Sequence, residues 1–328
     1  MKRTLFILLS LHALAGCAQN KDQQAKHNTT MAQTETAKPV LDFNRLKQYD
    51  QEPIYQMEVN SESFGYQVLV NDVTIYTHSG RYGGTITLFI TAAIMQSGSQ
   101  SLTVRLMPRP GQARLSDSKD FKIDITRTAW QKGGGMTTPV PVAGYALPEL
   151  SDGKQVQFKG NDQVFSHTLS FEATVPYKLP GWANSQPLRN DVRLKEEVVA
   201  AYNRMIDAYR RKDGAAFMGT FDVADMMVFQ ASYLRPEEAK QKRAEWIAFV
   251  NSGDKPIAPL ENYELEIGGN GRLVHLRRTD GDNRGEGVIR FPYRQMNRDR
   301  VMIYDVYFHK PAGSDRLEAI WYYMTDHS

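Results

Sequence analysis

A single cysteine, Cys17, stands among 328 residues. No intramolecular disulfide can form, so stability has to come from packing whatever the redox compartment. After the N-terminus, no apolar run approaches the ~20 residues that a membrane-spanning helix needs. A dominant charge is missing too: 40 basic residues face 37 acidic ones, a formal +3. Such a balance gives no whole-molecule attraction to nucleic acid. Catalytic spacing is equally scarce. The seven histidines are His12, His27, His78, His167, His275, His309 and His327, without an HxH, HxxxH or HExxH arrangement. Imidazoles spread in this way do not converge on a metal. No serine sits in GxSxG, and Gly80-Arg81-Tyr82-Gly83-Gly84 lacks the lysine and helix of a phosphate loop. No catalytic residue, metal or cofactor is assigned, and the expected activity is binding rather than catalysis.

What is present begins at the N-terminus. Lys2 and Arg3 precede an apolar run from Leu5 to Leu11, and Leu14-Ala15-Gly16-Cys17 closes the segment with small residues. A secretory signal has these three parts in this order, and the last four residues resemble the lipobox of bacterial lipoproteins. The resemblance implies that residues 1–16 are a signal peptide and that Cys17 becomes the lipid-modified first residue. Processing removes Lys2 and Arg3, leaving 38 basic against 37 acidic residues, or +1. Ala18 stands where enteric lipoproteins kept at the inner membrane carry aspartate. The resemblance therefore implies an outer-membrane anchor facing the periplasm, with the lipid as the only membrane contact. Residues 17–40 are rich in Gln, Thr, Asn, Lys and Ala, too polar to offset the entropy of ordering. They read as a flexible tether that reaches ~70 Å when extended.

Residues 41–176 read as an all-β antiparallel sandwich. The runs 66–76, 86–94, 101–108, 121–126 and 164–175 are alternating or rich in β-branched residues, and Asn71-Asp72 marks a tight turn. Lys132 to Pro141 reads as a loop. Residues 177–190, with Pro180, Gly181 and Pro187, read as a linker, and Trp182 as packed on a domain face. Residues 191–328 read as α+β. Leu194, Val198, Tyr202, Met205, Ile206 and Tyr209 make one helical stripe. Further helices are expected over 215–221 and 236–250, followed by five strands in a meandering sheet covered by the helices on one face. That element order resembles the NTF2-like and cystatin-like folds.

Two candidate sites emerge. Eight arginines and no lysine lie between Gly271 and Arg300, against Asp280, Asp282, Glu286 and Asp299, a local +4 (8 minus 4). Arg272, Arg277, Arg278, Arg290, Arg294 and Arg298 are the candidates for binding a protein partner with an acidic surface, since guanidinium groups meet carboxylates and phosphates in a planar fork. Phosphate of lipid or polysaccharide fits the same chemistry. The competing reading is a solvated sheet edge of Arg–Asp pairs. The second candidate rests on the NTF2-like resemblance, which implies acidic and tyrosine residues inside a cone: Tyr202, Tyr209, Tyr304, Asp305 and Trp321, with Met205 and Tyr307. Strand parity puts Ile303, Asp305, Tyr307 and His309 on one face, and Met302, Tyr304, Val306 and Phe308 beneath the helices.

Three functions follow. The first is a tethered protein-binding module, similar in layout to immunity lipoproteins that neutralise secreted effectors. The second is a small-ligand carrier or enzyme using the NTF2-like pocket. The third is envelope-glycan binding by the sandwich through Tyr76 and Tyr82.

Overall fold

Alternating side chains build most of this chain. The computed structural model describes residues 41–116, 120–147, 158, 163–281 and 284–327. The signal segment, Cys17 and the 17–40 tether lie outside the described residues, as does Asp282. A first antiparallel sheet has the order β4-β1-β6-β7, from β1 (Gln51–Ser61), β4 (Gly84–Phe89), β6 (Phe121–Gln131) and β7 (Val140–Ala146). A second has the order β3-β2-β5-β8, from β2 (Gly65–Val70), β3 (Val73–His78), β5 (Gly98–Met107) and β8 (Phe165–Ala173). The β2–β3 turn falls on Asn71 and Asp72, both with positive φ (53° and 61°), the geometry that suits a two-residue hairpin.

The two sheets bury facing apolar rows: Met57, Val59, Ile123 and Ile125 in the first, Val68, Val70, Leu102, Val104 and Leu106 in the second. Tyr66 meets Phe121 across the gap at 5.7 Å and Tyr55 meets Phe171 at 6.1 Å. β1 and β7 have no counterpart among the strands read from sequence, and the run taken as a loop to Pro141 ends inside β7.

The C-terminal part has four helices and a five-stranded antiparallel sheet. Asp191 caps α1 (Val192–Arg210) by accepting the Leu194 N–H at 2.9 Å, satisfying one of the free donors at a helix start. α2 (Gly214–Gly219), α3 (Asp222–Ala231) and α4 (Pro236–Ser252) follow, and Gly253 ends α4 at φ 62°. The strands are β9 (Tyr263–Gly268), β10 (Leu273–Arg278), β11 (Ile289–Gln295), β12 (Arg298–His309) and β13 (Glu318–His327).

Their order corrects the expected meander. β12 is central, with β13 on one flank and β11 and β10 successively along the other. At twelve residues, β12 is long enough to take two partners on one side. Met302, Tyr304, Val306 and Phe308 do face the helices and share a core with Val198, Tyr202, Met205 and Phe217.

All six residues of β2 are buried, which requires cover on both faces of its sheet. The five-stranded sheet supplies the second cover: Gln67 Nε2 donates to the Gly285 carbonyl at 3.2 Å, and the Thr74 N–H donates to the Tyr307 hydroxyl at 3.1 Å. The layers therefore run first sheet, second sheet, third sheet, helices. Phe43–Ser328 is one compact unit. Within it the segment read as a linker is packed chain: Tyr177, Trp182 and Ser185 are buried, and the Gln186 N–H donates to the Lys310 carbonyl at 2.9 Å. Among the described residues no helix is long and apolar enough to cross a membrane.

Candidate functional site: an ionic seam and an exposed hairpin

Alternation on three neighbouring strands carries charge into the gap between the second and third sheets. On β9, Tyr263, Leu265 and Ile267 pack toward the helices, which turns Glu264 and Glu266 the other way. On β10, Val274 and Leu276 join the helix-side core, turning His275 and Arg277 into the gap. The β9–β10 register sets His275 opposite Glu266 and Arg277 opposite Glu264.

His275 is the centre. Its Nδ1 lies 2.7 Å from Asp305 Oδ1 and its Nε2 3.3 Å from Glu266 Oε2. Its ring stacks on Tyr307 at 4.1 Å. Arg277 reaches Glu264 at 2.7 Å and Glu266 at 3.1 Å, and Arg105, from β5 of the second sheet, reaches Glu266 at 2.7 Å. Burial alone would depress the imidazole, but the charges and hydrogen bonds of Asp305 and Glu266 outweigh it and raise His275 to about 9. Burial alone would raise Glu266, yet His275, Arg277 and Arg105 hold it at about 2.

Three cations (His275, Arg105, Arg277) thus face three anions (Asp305, Glu266, Glu264). Nδ1 is hydrogen-bonded to Asp305 and Nε2 faces Glu266 as an ion pair, so the imidazole is committed to carboxylates of the chain itself. The arrangement ties two sheets together. Glu266 and His275 were absent from the sequence candidates, although the Gly268–Gly271 turn fixes a register that opposes them.

The arginine candidates do not form one face. Arg277 lies in the seam. Arg278 is buried in a two-pronged pair with Asp280 at 2.6 and 2.7 Å. Arg290 is buried against Glu286 at 2.5 Å, and Arg272 donates to the Ser185 carbonyl. Arg277, Arg278 and Arg290 thus pair with carboxylates of the chain, and of the four only Arg278 and Arg290 are buried.

Arg294 and Arg298 are different. Both are exposed at the tip of the β11–β12 hairpin, around Met296 and Asn297 at φ 49° and 61°. Met296 is 90% exposed. Such a turn favours Asn or Gly at both central positions, and a methionine there places an apolar side chain in solvent. At the hairpin base, Arg300 is tied to Asp326 at 3.1 Å.

The pocket candidates are split by the third sheet. Tyr202, Tyr209 and Tyr304 lie on its helix side, whereas Asp305 faces the second sheet. Trp321 stacks edge-on to Tyr307 at 5.8 Å and donates to the Ala92 carbonyl at 3.3 Å. Tyr202 donates to the Val306 carbonyl at 2.7 Å and accepts the Leu276 N–H at 3.2 Å. Tyr209 donates to the Lys255 carbonyl at 2.7 Å. These are buried core positions whose polar atoms have partners.

Tyr304 is the exception, since its buried hydroxyl has no hydrogen-bond partner among the described residues. Near it, Asp225 of α3 is held by Arg243 and by the Tyr322 hydroxyl at 2.7 Å. Burial raises Asp225 to about 6 against the pull of Arg243.

His309 meets Ser185 at 2.6 Å, and burial lowers its imidazole to about 4. Among the described residues no group of three or more His, Cys, Asp or Glu is arranged to hold a metal ion. Of the glycan candidates, Tyr82 is 66% exposed, whereas Tyr76 lies against Tyr66 at 6.0 Å. No known protein family, curated protein or solved structure matches the chain.

Proposed function

We propose that the chain is a lipid-anchored protein-binding module of the cell envelope, tethered through Cys17 to the outer membrane and facing the periplasm. The observation that supports this reading is the β11–β12 tip, where Arg294 and Arg298 flank the exposed Met296. An apolar side chain between two guanidinium groups suits a partner surface with an apolar dimple rimmed by carboxylates. His275, Asp305, Glu266 and Arg277 are engaged with one another in the seam, which makes it a structural tie. An immunity protein that masks a secreted effector is one form such a module takes.

The test has two arms. Arg294→Glu with Arg298→Glu is expected to lower the association rate for the partner roughly tenfold or more. Capture by the unaltered protein is expected to weaken as salt rises, because exposed charges are screened. Cys17→Ser is expected to release the protein from the membrane fraction. Unchanged capture by the charge-reversed hairpin removes the hairpin from the interface, and unchanged fractionation removes the anchor.

A second reading rests on the lone Tyr304 hydroxyl near Asp225 beneath the helices. In an NTF2-like or cystatin-like fold, helices on one face of a sheet leave room for a small carrier or enzyme pocket. A co-purifying small molecule that Tyr304→Phe fails to retain would move this reading ahead.

A further inference from the structure

Edge strands are normally protected by charge, proline, a bulge or a covering element, because their open N–H and C=O groups recruit further strands. Most edges of this fold carry such protection. β7 contains Pro141, and its Tyr145 stacks on His167 of β8 at 3.7 Å, bringing those two edges together. β9 carries Glu264 and Glu266, β11 carries Pro292 and two arginines, and β3 lies against β12 through the Thr74–Tyr307 hydrogen bond.

Among the described residues, β4 has none of these devices. Gly84-Thr85-Ile86-Thr87-Leu88-Phe89 has neither charge nor proline, its register with β1 is unbroken, and it ends the sheet order. The uncharged stretch continues to Ile94.

The ladder shows which groups are open. The Ile90 N–H donates to the Tyr55 carbonyl at 3.0 Å, and Gln56 lies opposite Phe89. In an antiparallel ladder the inward-bonding residues alternate. Leu88 and Ile86 therefore bond to β1, and the N–H and C=O of Thr85, Thr87 and Phe89 point away from it. Thr85, Thr87 and Phe89 are exposed, and Ile86 and Leu88 are half-buried.

We infer that β4 is a self-pairing edge, through which a second copy of this chain continues the first sheet across a two-fold axis at Thr87. Antiparallel pairing about that axis places Thr87 opposite its own copy, Thr85 opposite Phe89, and Ile86 opposite Leu88. Every outward N–H and C=O of Thr85, Thr87 and Phe89 then gains a partner. The half-buried Ile86 and Leu88 meet on the core side, and the exposed threonines meet Thr and Phe on the other. No like charges meet, because the strand has none. A second copy suits this edge because pairing about Thr87 matches the half-buried Ile86 to the half-buried Leu88 twice and sets no charge against its own copy. The resulting interface is isologous.

The test uses the full chain with Cys17→Ser, which removes its only thiol. Thr87→Cys in that background is expected to yield a disulfide-linked dimer on mild oxidation. Directly opposed, hydrogen-bonded residues have Cα atoms about 5.5 Å apart, within disulfide reach. Thr85→Cys is expected to stay uncross-linked, since its copies are four positions apart, roughly 13 Å. In sedimentation, Thr87→Lys is expected to raise the dimer dissociation constant at least about tenfold, with Thr87→Ser unchanged and every variant retaining the parent circular-dichroism spectrum. A chain that sediments as a monomer at every concentration overturns the inference, as does equal cross-linking at positions 85 and 87. A monomer whose β4 amides gain exchange protection only when an extended peptide is added also overturns it, and puts a foreign strand on this edge.

Discussion

His275→Leu is expected to cost about 3–5 kcal/mol of folding stability, measured by urea or guanidinium unfolding, because it leaves carboxylates buried without their shared cation. Asp305 has no exposed surface, and His275 is its ion-pair partner at 2.7 Å. Glu266 keeps Arg105 and Arg277, so the loss falls chiefly on Asp305. Replacing His275 and Asp305 together with leucine is expected to recover a large part of the loss, since removing both members of a buried pair leaves no bare charge.

The pH dependence gives the signature. The imidazole has an ordinary value of 6.5 and is raised to about 9 in the fold. Its stabilisation is therefore fully present below 6.5 and is lost as pH rises through 9, a span worth about 3 kcal/mol. His275→Leu should erase this alkaline decline. A loss below ~1 kcal/mol with the decline intact would show that the seam is ornamental to stability.

Tyr209→Ala and Trp321→Ala are each expected to cost about 3–5 kcal/mol, the range for emptying a large aromatic site in a packed core. Tyr209 is ringed by Phe217, Phe249 and Phe291 at 6.0, 6.0 and 4.6 Å. Trp321 lies between Tyr307 and Tyr323 at 5.8 and 5.9 Å. Tyr209→Phe removes only the bond to the Lys255 carbonyl and should cost about 1 kcal/mol. Residues that line an open cavity behave in the opposite way, with small stability losses and a change in what is bound. Near-parental unfolding midpoints for both alanine variants would restore the pocket reading.

The sequence is most readable where one face of an element is wet. α1 declares itself through Leu194, Val198, Tyr202, Met205 and Tyr209 because its other side meets solvent. α3 does not, since Ala224, Asp225, Met227, Val228, Phe229, Gln230 and Ala231 are all buried and leave no polar face to set a period. β1 hides for another reason. Pro53 and the mixed run Gln51–Ser61 look unlike a strand interior, yet β1 is paired on both sides.

The arginine cluster shows the limit of counting charge along a chain. The local excess predicts an exposed basic face, but strand alternation and turns place Arg277, Arg278 and Arg290 beside specific carboxylates. The hairpin tip and Arg284 in the β10–β11 turn keep the expected exposure. Asp305 is a sequence candidate beside Tyr304 or Tyr307, and its ion-pair partner is another residue. Its partner His275 lies thirty residues away on β10, and pairing between non-sequential strands is invisible without the sheet order.

The doubly covered second sheet also sets the order in which this chain can become native. β2 is finished before residue 71, but the layer that shields Gln67 and Leu69 is made from strands that begin at Tyr263. Lys47 is likewise bonded to Gln230 across 183 positions, at 2.8 and 2.9 Å. Loop-closure entropy must be met before contacts of such separation contribute. A nascent chain stopped before β9 therefore holds one half-bare sheet and an unanswered Arg105. Maturation waits on the last third of the polypeptide, and the intermediate that precedes it exposes sticky β surface that a cell has to keep apart.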